Sequence, residues 1–241
     1  MMKARLLGAA TAACFVMAGG TAQAASVTLS GWAFGQGQAV SGSMGLNSHA
    51  GGFGGTLTGA GAHDDLSFLT YCIELEENYS FSSTAMTGYS IVDGASYFGA
   101  RQLADAARPH GALVADRLGR LLTYVDDNPT MVDTALESAA MQLAVWNIVY
   151  DSDSSVATST GGLFQLDGES GKKYGARVTN LLAGAAGVSE RRFDVYALTR
   201  QGTQDFLLAA PNASHVPEPG SFALAGLALL GLTAAGRRRA A

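Results

Sequence analysis

The chain predicts an α+β fold, with β-sandwich or barrel-like strands at both ends and a helical subdomain inserted between them. Three observations carry this. Residues 66–79 alternate apolar and polar side chains with a period of two, as a half-buried strand does. Residues 100–150 change character and read as helical, with three- and four-residue spacing from Leu113 on, the mark of helices that face a core. Residues 193–208 return to short apolar runs that turn at Gln201-Gly202. No internal repeat of solenoid length is visible.

Taken in order, Val27, Leu29, Trp32 and Phe34 mark an opening strand over residues 26–34. Residues 41–62 hold eight glycines and read as a loop or a flexible hairpin. In the strand at 66–79, Leu69, Tyr71, Ile73 and Leu75 share one face, and Thr70, Cys72, Glu74 and Glu76 the other. Residues 88–92 are expected to pair with it. Leu113, Val114, Leu118, Leu121, Leu122 and Val125 then form a helical stripe, which Asp126-Asp127-Asn128-Pro129 ends. Asp133 offers an N-cap to the next helix, which carries Leu136, Ala139, Ala140, Leu143, Trp146 and Tyr150. Residues 151–162 read as a loop, and a shorter helix is expected around 174–182. Phe193, Val195 and Ala197, followed by residues 206–208, form the closing hairpin.

Composition narrows the function. The 241 residues are 48 % hydrophobic and 15 % charged, which excludes a disordered charged tail and a coiled coil. From Ala25 to Val216 there are 10 bases against 19 acids, a net of −9. Phosphate backbones would repel such a body, so no nucleic-acid partner is expected.

Both ends read as addresses. Residues 1–24 form a secretory signal: Lys3 and Arg5, an apolar stretch, then Ala22-Gln23-Ala24 as the cleavage site. The apolar run is too short to span a bilayer. At the other end, Pro217-Glu218-Pro219 precedes an uncharged segment over 220–236, closed by Arg237, Arg238 and Arg239. As a helix this segment would extend about 25 Å, slightly short of a bilayer core, with the arginines held in the cytoplasm. The order of parts over 216–239 resembles the PEP-CTERM sorting signal of Gram-negative bacteria. That resemblance implies a transient inner-membrane anchor, processing by an exosortase, and delivery to the cell surface or the exopolysaccharide matrix.

Cys14 leaves with the signal, so Cys72 is the one cysteine of the mature body and has no internal disulfide partner. Three accounts compete: a buried small hydrophobe, a catalytic thiol with His63 or His110 as base, and a sulfur capped by another side chain. Glu74 and Glu76 share the Cys72 face and would raise its pKa, which counts against the catalytic account.

Thr70-Tyr71-Cys72-Ile73 and, seventy residues on, Met141-Gln142-Leu143-Ala144-Val145-Trp146 supply a cap. The two segments resemble the signatures of bacterial thioester domains: an aromatic or apolar residue before a strand cysteine, then a helix reading Gln-x-Ala-apolar-Trp. The family often has Thr before the glutamine, where this chain has Met141. The resemblance implies an internal thioester with Cys72 as sulfur donor and Gln142 as acyl donor, supported by Tyr71, Ala144 and Trp146. It also implies covalent capture of an amine on a target, as in surface adhesins. Thiolate leaves far more easily than ammonia, so an amine converts such a bond to a stable amide. Water would destroy the bond, so it needs apolar walls, and Trp146 follows Gln142 by one helical turn.

Other signals are weaker. His63-Asp64-Asp65 reads as a solvated turn, and no metal or cofactor is expected. Gly168-Glu169-Ser170-Gly171-Lys172 has the wrong spacing for a phosphate-binding loop, and no Gly-x-Ser-x-Gly elbow occurs. Asn78-Tyr79-Ser80 fits a glycosylation sequon, uninformative on a bacterial export route.

The expected protein is an exported, single-turnover covalent binding module, not a turnover enzyme. Its partner is an amine-bearing surface protein or polymer. The alternatives are a structural exopolysaccharide or biofilm matrix protein with a free buried thiol, and a cysteine hydrolase or transferase.

Overall fold

The computed structural model describes residues 24–157 and 162–212. The expected signal peptide and the C-terminal tail lie outside the described residues. Eight strands run as β1 (Ala25–Trp32), β2 (Gln38–Ser41), β3 (Asn47–Ala50), β4 (Phe53–Thr58), β5 (Asp65–Thr70), β6 (Met86–Asp93), β7 (Phe193–Arg200) and β8 (Thr203–Pro211). Between β6 and β7 lie four helices, α1 (Gly94–Ala104), α2 (Gly111–Asp127), α3 (Ala135–Tyr150) and α4 (Gly168–Gly187). This is the α+β arrangement expected from the sequence, with the helices inserted between the strands.

Six strands form one antiparallel sheet in the order β5-β4-β1-β6-β7-β8, and β2 pairs with β3 in a separate hairpin. The sheet nearly closes into a barrel. The chain just after β5 meets β8 at the opposite edge, where Leu207 N–H donates to Tyr71 O at 2.9 Å and Ile73 N–H to Asp205 O at 3.2 Å. Cys72 sits opposite Phe206 at that seam.

Several sequence expectations are corrected. The glycine-rich stretch contains a hairpin and a central strand, β4, which lies between β1 and β5. Gly55 explains the choice of residue: a Cβ there would stand 1.8 Å from Thr28 O on β1. Residues 88–92 belong to β6, whose neighbours are β1 and β7, not the Cys72 strand. That strand ends at Thr70, and its faces are not as the alternation predicts. Leu66 and Leu69 are exposed, while Thr70, Cys72 and Glu74 are buried together with Tyr71 and Ile73, because β8 and α3 cover the chain beyond Thr70.

The helices depart from expectation in detail. Val114, Leu118 and Leu121 of α2 are buried, but Leu113 is exposed. α3 begins one residue later than expected: Thr134, not Asp133, is its N-cap, with Glu137 completing a capping box. Every residue from Ser138 to Tyr150 is buried, so α3 is a core helix on all sides rather than an amphipathic one. α4 is longer than expected, since Asp167 caps it by accepting from Glu169 and Ser170 N–H. The Gly168–Lys172 stretch is therefore its first turn. α1, which shows no apolar stripe, packs on α2 where Gly111 approaches Ala95 O and Gly99 N; a Cβ on Gly111 would stand within 2.4 Å of both.

Candidate functional site

α3 carries Ser138, Gln142, Trp146 and Tyr150 in a row, each one helical turn after the last. The chain that leaves β5 follows this row. Four helix residues advance about 6 Å and two extended residues about 6.6 Å, so the two repeats stay nearly in step. Cys72 meets Gln142, Glu74 meets Trp146, and Glu76 meets Tyr150.

The first contact is neutral and dry. Cys72 N–H donates to Gln142 Oε1 at 2.9 Å, and Gln142 Nε2 donates to Cys72 O at 2.8 Å. The amide of Gln142 thus stands where a neighbouring strand's peptide group would. Cys72 is 2 % exposed and Gln142 1 %. The N–H on Oε1 draws electron density from Cδ, the atom a nucleophile would attack, and lies where an oxyanion would form. Burial pushes the Cys72 thiol well up, and the neighbouring Glu74 adds to this. A thiol kept protonated is a poor nucleophile for repeated turnover.

At the second contact, Trp146 Nε1 and Gln204 Nε2 both donate to Glu74 O at 3.2 Å. A cavity of about 230 Å³ opens beside them, with Cys72, Trp146, Tyr79, His49, Glu74 and Glu77 in its wall. Tyr79 is fixed there by Phe53, 4.5 Å away between ring centroids. His49 is thus the histidine at this cavity, and sequence reasoning missed it because it lies in the glycine-rich stretch. His63 instead packs against Tyr196, and His110 stands at the start of α2.

Glu74 is 3 % exposed. Its Oε1 accepts Asp205 N–H at 2.9 Å and its Oε2 faces Arg101 at 3.2 Å. Burial pushes Glu74 up to about 7, opposed by the Asp205 N–H and the Arg101 cation, while the Asp205 and Glu77 carboxylates add to the rise. Tyr97 donates to Asp205 Oδ2 at 2.7 Å, and burial raises Asp205 as well. Glu74, Glu77 and Asp205 come within 4.8 Å of one another, the carboxylate group with metal-ligand spacing among the described residues. Arg101 already supplies it with a cation.

The third contact is ionic. Glu76 accepts from Arg101 at 2.7 Å, Arg108 at 2.6 Å and Tyr150 Oη at 2.9 Å. Although burial works to raise it, these partners hold the Glu76 carboxyl at about 2. Tyr150 Oη also accepts Leu75 N–H at 2.9 Å.

The supporting residues divide. Trp146 is in the cavity wall, but Tyr71 is not and meets Gly52 instead. The tyrosine ring packs so closely on Gly52 that a Cβ would come within 3.0 Å. Ser138 lies beside it and accepts Gly52 N–H at 2.7 Å. Ala144 is fully buried but lies off the Gln142–Trp146 row. The His63-Asp64-Asp65 segment is a turn, with Asp64 accepting Ala60 N–H and Asp65 accepting Ser67 N–H.

Comparison with known proteins identifies one end of the chain. Residues 215–239 match the PEP-CTERM protein-sorting motif. The motif implies an exported protein, directed to the cell envelope or surface and processed by an exosortase. No curated protein and no solved structure matches the chain. Among the described residues, no helix is long and apolar enough to cross a membrane, and the apolar segment at 220–236 lies outside them.

Proposed function

We propose that this exosortase substrate carries an internal thioester between Cys72 Sγ and Gln142 Cδ, and uses it once to couple to an amine-bearing partner. The observation that carries the reading is the two-point pairing of the Gln142 amide with the Cys72 main chain, beside a cavity. The pairing fixes the acyl carbon next to the residue that bears the sulfur. It leaves the Cys72 N–H as the donor for a tetrahedral oxyanion. Burial of Cys72 and Gln142 limits the access of water to the bond, and Glu74 and Glu77 favour a cationic amine in the adjoining cavity. In this reading residues 1–24 are removed, 25–215 are the working body, and 216–241 anchor it transiently in the inner membrane before release to the surface or matrix of a Gram-negative cell.

Intact mass of the purified mature protein tests this. The thioester form is lighter than its sequence by one ammonia and reacts with no thiol reagent. Methylamine restores the mass of the amide as its N-methyl derivative and frees one thiol. Cys72→Ala and Gln142→Ala each abolish uptake, and Gln142→Glu nearly does. A freely reactive thiol with no mass deficit would leave the structural matrix reading in its place.

A further inference from the structure

We infer that Glu74 carries the proton in both directions of the Cys72–Gln142 chemistry, an assignment that rests on the thioester reading above. Three observations lead to it. Glu74 lies two residues from Cys72 and shares the wall of the same cavity. Its carboxylate is fixed from two sides, by Asp205 N–H and by Arg101. Its main-chain carbonyl is held by Trp146 and Gln204, so the whole residue is positioned rather than mobile. Successive same-face positions on an extended chain lie about 6.6 Å apart, a span that a carboxylate side chain bridges directly or through one water.

The steps balance without an oxidant or reductant. In bond formation, Cys72 Sγ–H passes its proton to the Glu74 carboxylate and Sγ attacks Gln142 Cδ. The Cδ–Nε2 bond then breaks as Glu74 returns the proton to Nε2, which leaves as ammonia. In capture, a primary amine attacks Cδ, Glu74 accepts a proton from the attacking nitrogen, and the same proton goes to Sγ as the Cδ–Sγ bond breaks. A carboxyl that titrates near neutrality suits both transfers.

The groups around Glu74 are Arg101 and Tyr97 of α1, Asp205 of β8, and Cys72 and Glu77 on its own segment. His49 stands across the cavity, and α3 presents only the uncharged Gln142 and Trp146. The experiment measures methylamine uptake by the mature protein against pH, with rates expressed per free amine. The wild type should bend near pH 7. Glu74→Gln should lose the bend and slow uptake about a hundredfold, while Glu74→Asp recovers part of the rate. Arg101→Gln should move the bend to higher pH, because the opposing cation is gone, and His49→Gln should keep it. The Arg101 and His49 variants decide the matter even if Glu74→Gln does not fold. A bend that survives in Glu74→Gln, stays put in Arg101→Gln or vanishes in His49→Gln overturns the assignment. A wild-type protein with no mass deficit overturns the thioester reading instead.

Discussion

Two ends of one helix row are built on opposite physical terms. At Gln142, α3 meets the chain through two neutral hydrogen bonds in a site closed to solvent. Two turns later, at Tyr150, it meets Glu76 together with two arginines at a surface that is half open. The bonds that hold the Gln142 amide are uncharged, with the Glu74 carboxylate confined to the adjoining cavity wall, whereas the charges around Glu76 gather where water can solvate them. The ionic end fixes the register of the chain along α3, and the register brings Cys72 opposite Gln142. Trp146 is the divider between them.

Removing the divider should have the largest effect. Trp146→Ala should lower stability by about 3–5 kcal/mol, seen in chemical denaturation, because a large buried ring is lost. In the protein that still folds, the thioester should hydrolyse faster, as followed by the return of a titratable thiol. Unchanged hydrolysis would mean that the dry end does not depend on this indole.

Tyr150→Phe tests the ionic end alone. It removes the hydroxyl that bonds Leu75 N–H and Glu76, but Leu75 N–H keeps a second acceptor in Glu76 Oε2 at 3.1 Å. A loss of about 1–2 kcal/mol is expected, with methylamine uptake retained. Loss of uptake in a folded Tyr150→Phe protein would show that the two ends are not separable.

The smallest effect is in the pH dependence of stability, where the two ends have opposite signs. Glu76 titrates lower in the folded protein than its ordinary 4.5, so its contribution is present above that value and fades as pH falls toward 2. Glu74 titrates higher, so its folded form binds the proton more tightly, and stability declines as pH rises from about 4.5 through 7. Glu76→Gln should flatten the acid limb of a denaturation–pH curve, and Glu74→Gln the limb approaching neutrality. Identical curves in either variant would remove the contrast.

The opening strand, the stripe of α2, the break at Pro129, the helix bearing Gln142 and the closing hairpin were legible because each has a period or a turn signal of its own. β4 was not, because Phe53-Gly54-Gly55-Thr56 carries the glycines of a turn; here the glycine admits β1 at close range. α1 was not, because it carries no apolar stripe and packs through a close crossing that Gly111 of α2 permits. The faces of the Cys72 segment were misread because alternation assumes one wet side, and β8 with α3 leaves none.

The sequence by itself determined what is local or terminal: the opening strand, the helices of the middle, the closing hairpin, the sorting motif, and the four-residue spacing of Gln142, Trp146 and Tyr150. Tertiary structure decided what those residues face. The seam with β8 buries Cys72, the step of the chain along α3 sets Gln142 on its main chain, and α1 and β8 bring Arg101 and Asp205 to Glu74. Such pairings join residues far apart in the chain through burial and hydrogen bonding, neither of which leaves a period in the sequence.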